Sequence, residues 1–148
     1  MTALIITIVL ALSISALCST MEAMLCSIPW TTLEKMKEPG SRSGRILYHM
    51  RSNVDQPISA ILTLNTIANT AGASLAGALA ATALGAESMP YFAALFTVLV
   101  LLFGEIIPKT LGVSYPGALG RILALPLFAM TTVLRPATWL SGQITRLI

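Results

Sequence analysis

Charged residues are scarce in this chain of 148 residues, which holds nine Lys or Arg, six Asp or Glu and one His. They make up 10% of the sequence, while hydrophobic residues make up 55%. An average soluble domain has roughly 25% charged residues. So few polar side chains cannot coat a soluble globule, and the sequence therefore predicts a single all-α membrane domain over residues 1–148.

Motifs for catalysis and for soft-metal clusters are also missing. The two cysteines, Cys18 and Cys26, lie too far apart along one apolar helix to form a disulfide, and the sequence has no CxxC motif or Cys/His cluster. No P-loop, GxGxxG motif or nucleophile triad occurs, so we expect no enzyme. The net charge of +3 lies in loops, where it indicates membrane orientation, and we expect no nucleic-acid partner.

Three apolar segments are long enough to cross a hydrocarbon core of about 30 Å. They cover residues 3–28, 57–84 and 90–112. Residues 30–53 between the first two are rich in Lys and Arg and contain the turn Pro39-Gly40-Ser41, which predicts short amphipathic helices on the membrane surface.

The segment of residues 117–148 has two interpretations. Its hydrophobicity suits a fourth span, but Pro126 and Pro136 are expected to break the helix, and Arg135 would lie near the middle of the membrane. We favour juxtamembrane helices, with a fourth span as the alternative. The sequence therefore predicts three transmembrane helices with juxtamembrane helices.

The distribution of positive charge predicts the orientation. Five Lys or Arg lie in residues 29–56, none in residues 85–90 and four after Gly104. By the positive-inside rule we expect the N-terminus outside and the C-terminus in the cytosol. We expect the membrane to be the plasma membrane or the inner membrane of the cell. Small residues recur at four-residue spacing on the second span and predict a homodimer contact; they are Gly72, Ala76 and Ala80.

A carboxylate and a proline stand out near the cytosolic end of the third span. Glu105 must pair, bind a cation or face water at that depth, and Lys109 four residues later is one alternative partner. Pro108 cannot donate a hydrogen bond to the Gly104 carbonyl. That carbonyl and the carboxylate form an oxygen pair suited to Mg²⁺, Ca²⁺ or Na⁺. A plain helix kink is the alternative.

The other two spans carry polar stripes. Asn65 and Asn69 lie four residues apart and share one face of the second span. Ser15, Ser19 and Glu22 share one face of the first. Either stripe alone is ordinary for helix association in a membrane. Together with Gly104 and Glu105, the stripes favour a cation site between the helices.

Residues 104–110, GEIIPKT, resemble the GE-x-x-PK-T signature of the CorC/CNNM (cyclin M) membrane domain. The serine stripe with its acid and the pair Asn65 and Asn69 match the same family. The resemblance implies a homodimer of three-span protomers in the lipid bilayer that holds a partly dehydrated Mg²⁺ between the helices. It also implies Mg²⁺ efflux driven by Na⁺ entry, and a cytosolic CBS pair that binds ATP and follows the membrane domain. We expect the sequence to be the membrane part of such a protein.

On this basis we expect a Mg²⁺ transporter. Its predicted direct ligands are Ser19, Asn65, Gly104 and Glu105. Asn69, Glu22 and Ser15 are predicted to lie next to these ligands or on the path of a coupling Na⁺. Pro108 and Lys109 are expected to be structural. The alternatives are a passive cation channel and a non-transporting membrane anchor or sensor for the CBS pair.

Overall fold

The computed structural model describes residues 1–37, 41–136 and Trp139. Seven α-helices are described over these residues: α1 (Thr2–Ser27), α2 (Trp30–Met36), α3 (Arg42–Ser52), α4 (Asp55–Leu84), α5 (Met89–Leu99), α6 (Ile107–Ser114) and α7 (Pro116–Val133). A 3-10 turn at Ala86–Ser88 precedes α5, and a π-helix at Val100–Ile106 joins α5 to α6. The all-α prediction is confirmed over the described residues. Parts of the predicted juxtamembrane helices, at residues 38–40, 137–138 and 140–148, lie outside them.

Helices α1 and α4 pack antiparallel through small side chains. A Cβ atom added at Gly72 would lie 2.5 Å from the Cβ of Ala11, and Ala76 and Ala80 are fully buried in a cluster with Leu4. The prediction that the small-residue face of α4 forms a dimer contact is therefore wrong. This face accepts another helix as expected, but α1 of the same chain supplies that helix.

The third long segment runs parallel to α1. It begins at α5, widens into the π-helix, whose last hydrogen bond joins the Ile107 N–H to the Leu102 carbonyl, and continues as α6. Pro108 lies in the first turn of α6, where a missing N–H leaves no bond unmade within that helix. Further on, α6 touches α1 at Gly112, where an added Cβ would lie 2.7 Å from the Thr20 carbonyl oxygen.

Within the described residues, four helical segments are long and apolar enough to cross a membrane: Thr2–Ser27, Asp55–Leu84, Ala86–Ser114 and Pro116–Val133. The first three contain or nearly contain the predicted spans. The expectation that Pro126 breaks the last segment is wrong, because α7 continues through it. Prolines are tolerated within apolar helices where neighbouring groups satisfy the freed carbonyl.

The shorter helices collect around the C-terminal end of α1. The larger buried cluster joins that end of α1 to α2, α3, α7 and the beginning of α4. Close packing of α7 depends on Gly120, whose added Cβ would lie 2.9 Å from Leu47 Cδ1 and 3.4 Å from Ile28 Cδ1. The guanidinium of Arg51 donates to the Cys26 carbonyl at 3.2 Å. This bond satisfies an otherwise unpaired carbonyl at the end of α1.

Replacing Gly112 with Ala should lower the free energy of unfolding by about 1–3 kcal/mol, because the new methyl group meets backbone atoms of α1 that cannot move aside. Gly77→Ala is the matched control, since a Cβ there would lie 3.9 Å from Met89 Cε, an ordinary contact. Thermal unfolding in a mild detergent measures both variants. Equal unfolding midpoints for the two would contradict the close approach of α6 to α1.

Candidate functional site

Ser15 lies where the three long helical segments meet. Its side chain is fully buried. The Ser15 hydroxyl lies 2.9 Å from Asn65 Oδ1 on α4 and 3.5 Å from the carbonyl oxygen of Gly104 in the π-helix. The shorter contact is a hydrogen bond of ordinary length, while the longer one is weak. One hydroxyl, one amide and one backbone carbonyl therefore converge inside the bundle.

Glycine at position 104 permits this convergence. A Cβ added there would lie 2.9 Å from Ser15 Oγ and 3.3 Å from Ser15 Cβ. Any larger residue would push α1 away from the π-helix. Because Pro108 has no N–H, the Gly104 carbonyl also lacks the donor that a regular α-helix supplies from four residues later. The Gly104 oxygen thus lacks the N–H partner of a regular α-helix and lies near the Ser15–Asn65 contact.

Asn69 and Glu105 line a second part of the site. Both face a cleft of about 300 Å³ beside α4, α5 and the π-helix, whose other walls are mostly apolar. Thr97 also lines this cleft and donates its hydroxyl to the Ala93 carbonyl at 2.8 Å. The carboxylate of Glu105 is half-buried, and it is the only acidic group in the cleft lining as described. The cleft therefore combines a negative charge with low polarity around it.

Two buried side-chain oxygens have no hydrogen-bond partner among the described residues. They belong to Ser19 on α1 and Asn69 on α4. Four residues of helix rise about 6 Å. Since α1 and α4 are antiparallel, Ser19 and Asn69 lie on opposite sides of the Ser15–Asn65 contact along the bundle axis. A buried oxygen without a donor is costly and favours a bound ion or water nearby.

Glu22 forms an ion pair and does not line the cleft that contains Glu105. Its carboxylate lies 3.4 Å from the ammonium group of Lys109 on α6. Lys109 thus pairs with the acid of α1, and the alternative in which it pairs with Glu105 one turn earlier does not occur in the described structure. The Glu22 side chain is 25% exposed and that of Lys109 is 46% exposed. This pair lies towards the C-terminal end of α1, next to the basic helices.

Six of the seven predicted cation-site residues form three groups, and the seventh, Ser19, is buried without a hydrogen-bond partner among the described residues. Ser15, Asn65 and Gly104 come together, Asn69 and Glu105 share the cleft, and Glu22 pairs with Lys109. Ser15, predicted to lie beside the ligands, is the contact that joins three segments. The π-helix was not predicted, although a glycine four residues before a proline is the signal that could have indicated it.

The chemistry of this site suits a hard cation. In the described part of the chain no three His, Cys, Asp or Glu side chains come together. The oxygens available are hydroxyl, amide, carbonyl and one carboxylate. Mg²⁺ commonly keeps several water ligands and needs only one or two carboxylates from the protein. Soft-metal binding, which needs thiolate or several imidazole ligands, does not fit this set.

The fold and the site define an integral membrane domain of packed apolar helices with polar groups from three of them in its interior. Residues 5–148 match the family described as the Cyclin M transmembrane N-terminal domain, CNNM. The chain belongs to this family, so the resemblance seen in the GEIIPKT motif is confirmed.

Curated relatives carry the same domain within longer chains. A UPF0053 protein of Synechocystis is 37% identical over 131 residues, which cover 88% of this chain and 38% of that protein. The UPF0053 inner membrane protein YfjD of Escherichia coli is 26% identical, with 91% and 32% covered. A putative DUF21 domain-containing chloroplastic protein of Arabidopsis thaliana is 31% identical, with 93% and 21% covered. The chain thus spans less than two fifths of the length of each.

Ser15→Ala should destabilise the bundle by about 0.6–1.7 kcal/mol, which are the average and the largest values measured for hydrogen bonds between membrane helices, because Asn65 loses its donor. Thr7→Ala is the matched control: its hydroxyl bonds only the Ala3 carbonyl of its own helix, at 2.9 Å on an exposed face. Unfolding free energies in mixed micelles measure both. A loss no greater than that of Thr7→Ala would argue against the interhelical role.

Proposed function

We propose that this domain transports Mg²⁺ across the membrane, with the ion bound between α1, α4 and the π-helix. The observation that carries the proposal is the convergence of Ser15, Asn65 and the Gly104 carbonyl at a helix irregularity, one residue from the carboxylate of Glu105. Neutral oxygens can replace part of the water shell of the ion, and the carboxylate provides most of the electrostatic attraction. Ser19 and Asn69 add oxygens that lack partners.

The order of the polar groups supports a path along the bundle. Asn69, the Ser15–Asn65 contact and Ser19 follow one another in steps of about 6 Å along the axes of α1 and α4. Glu22, one turn beyond Ser19, continues the series towards the basic end of the bundle. A hydrated or partly dehydrated cation moving along this line meets an oxygen at each turn. Na⁺ accepts the same hard oxygen ligands, so we propose that Na⁺ entry drives Mg²⁺ efflux.

We further propose three spans, with α7 lying along the cytosolic surface of the membrane. Both ends of α7 contact the same end of the bundle: Gly117 lies near Thr32 of α2, and Phe128 and Thr131 share a cleft with Pro57 at the beginning of α4. A helix that crossed the membrane would reach the opposite end. The positive charges of α2 and α3 favour the cytosolic side for this end.

The working assembly proposed here is a homodimer with a cytosolic region after the membrane domain. Family membership and the greater length of the relatives support an additional region, and we propose a CBS pair that binds ATP for that role. Because the small face of α4 is used within the chain, a dimer contact must come from another surface. Large exposed apolar side chains on the third segment, such as Leu95 and Leu102, offer one.

Cysteine labelling tests the three-span topology. In a Cys26→Ser background, which removes the exposed native thiol, Arg45→Cys and Val133→Cys should both resist an impermeant thiol reagent added outside intact cells, while Ser88→Cys should react. Val133 is exposed and Ser88 is partly exposed in the structure, so the protein itself does not bury either position, and the residue expected to resist the reagent is the more accessible of the two. Outside labelling of Val133→Cys would instead make α7 a fourth span.

Mg²⁺ flux from liposomes tests the function. Wild-type protein should transport Mg²⁺ faster when a Na⁺ gradient drives Na⁺ in the opposite direction. Glu105→Gln should weaken Mg²⁺ binding by about two orders of magnitude and slow this transport, because the charge that attracts the ion is lost. Glu87→Gln, in the exposed turn before α5, is the matched control and should retain transport. Mg²⁺ flux that does not depend on the Na⁺ gradient would indicate a passive channel. Absence of Mg²⁺ flux in a folded wild-type protein would indicate an anchor or sensor.

The variant Pro108→Ala tests the role of the Gly104 carbonyl separately from that of the Glu105 carboxylate. Alanine at this position restores a donor four residues after Gly104, so the carbonyl should turn back into the helix and Mg²⁺ binding should weaken while folding is kept. Isothermal titration with Mg²⁺ on the folded variant measures this. Unchanged binding would remove the Gly104 carbonyl from the site and leave the carboxylate proposal intact.

A further inference from the structure

A second cleft, of about 420 Å³, lies at the basic end of the molecule between α3, the beginning of α4 and α7. Three guanidinium groups and an imidazole line it, from Arg42, Arg45, His49 and Arg135. The first three recur at offsets of three and four on α3 and therefore lie on one face of that helix. No described Asp or Glu is part of the lining. The cleft is thus strongly positive and separate from the proposed cation path.

Helix stability does not account for these charges. Arg42 and Arg45 lie in the first turn of α3, where the helix dipole is positive and a cation is unfavourable. At the same end the Gly44 N–H donates to the Ser41 hydroxyl at 3.1 Å and the Arg45 N–H to the Ser41 carbonyl at 3.3 Å, so neither bond involves the arginine side chains. Two arginines in this position create a strong positive potential that an anion would relieve.

The remaining walls of the cleft indicate what kind of anion fits. Ile46, Met50, Pro57 and Phe128 form an apolar side, while Asn53, Gln56, Thr131 and Thr132 add neutral polar groups. A free inorganic anion gains nothing from apolar side chains beside it. The glycerol and first acyl carbons of a phospholipid, in contrast, can pack against them. Arginine guanidinium groups bind phosphate oxygens in a bidentate manner.

The surroundings of the cleft match the headgroup layer of a bilayer. On the same group of short helices, Trp30 and Tyr48 pack edge to face with their centroids 5.8 Å apart. The Lys37 ammonium lies 4.1 Å from the centroid of the Tyr48 ring. Aromatic side chains next to basic ones are typical of the interface between membrane and water. We propose that this cleft binds the phosphate headgroup of an anionic membrane lipid. The bound lipid would contact both α3 and α7 and stabilise their packing.

Native mass spectrometry of the delipidated protein tests this site with two lipids of equal acyl chains, phosphatidylglycerol and phosphatidylcholine. The wild type should retain phosphatidylglycerol in preference. Arg45→Gln and, independently, Arg42→Gln should each weaken this retention by about tenfold, the effect of losing one charged hydrogen bond. Both side chains are exposed, so folding should survive. Lys35→Gln, an exposed charge on α2 outside the cleft, should leave retention unchanged.

Three outcomes would overturn the proposal. An equal loss of phosphatidylglycerol retention in Lys35→Gln and in the arginine variants would show that general surface charge, and not this cleft, retains the lipid. Full displacement of phosphatidylglycerol by millimolar inorganic phosphate would identify a site for a free anion. Equal retention of phosphatidylcholine and phosphatidylglycerol by the wild type would remove the anionic selectivity. Mg²⁺ titration of the same variants should be normal, because none of these residues contributes to the cation path.

Discussion

The missing hydrogen-bond donor of Pro108 is the constraint on which the interior of this domain depends. Within a bilayer no water replaces an unmade backbone bond, so each freed carbonyl must find a partner inside the protein. The chain meets this requirement by widening into a π-helix at Val100–Ile106 and restarting as α6. Glycine at position 104 then lets α1 come close enough for the Ser15 hydroxyl, which donates to Asn65 at 2.9 Å, to make a weak contact with the carbonyl oxygen at 3.5 Å. Backbone irregularities of this kind are frequent at functional sites.

Local chemistry was readable from the sequence, while long-range pairing was not. The apolar lengths, the polar stripes and the proline three residues after an acid each follow from short stretches of residues, and the three predicted spans coincide with three of the segments that are long and apolar enough to cross a membrane. A small-residue face predicts that a helix will pack on it, but its partner can come from the same chain or from another, as Gly72 illustrates. The same limit applies to the ion pair of Lys109. The sequence alone does not distinguish Glu105, one turn earlier on the same segment, from Glu22 on α1 as its partner.

The Ser15–Asn65 contact shows how the proposed cation site, built mainly from neutral oxygens, would be stable when no ion is bound. Two or more carboxylates at this depth would repel each other whenever the cation left, and their desolvation would destabilise the helix bundle. A hydroxyl and an amide instead satisfy each other in the absence of the ion. Exchange of such partners costs little, because a hydrogen bond is replaced by ion coordination. A single carboxylate at Glu105 provides attraction without a large penalty for release.

Helix α1 connects this interior to the basic end of the molecule. Along its length it carries Ser15 at the junction, Glu22 paired with Lys109 of α6, and Cys26, whose carbonyl accepts from Arg51 of α3. A helix is stiff along its axis because its backbone bonds are all internal. A shift of α1 that opened the junction would therefore also strain its contacts with α6 and α3. Groups that bind the short helices therefore act on the same helix that lines the proposed cation path, so α1 alone can connect the two ends of the molecule.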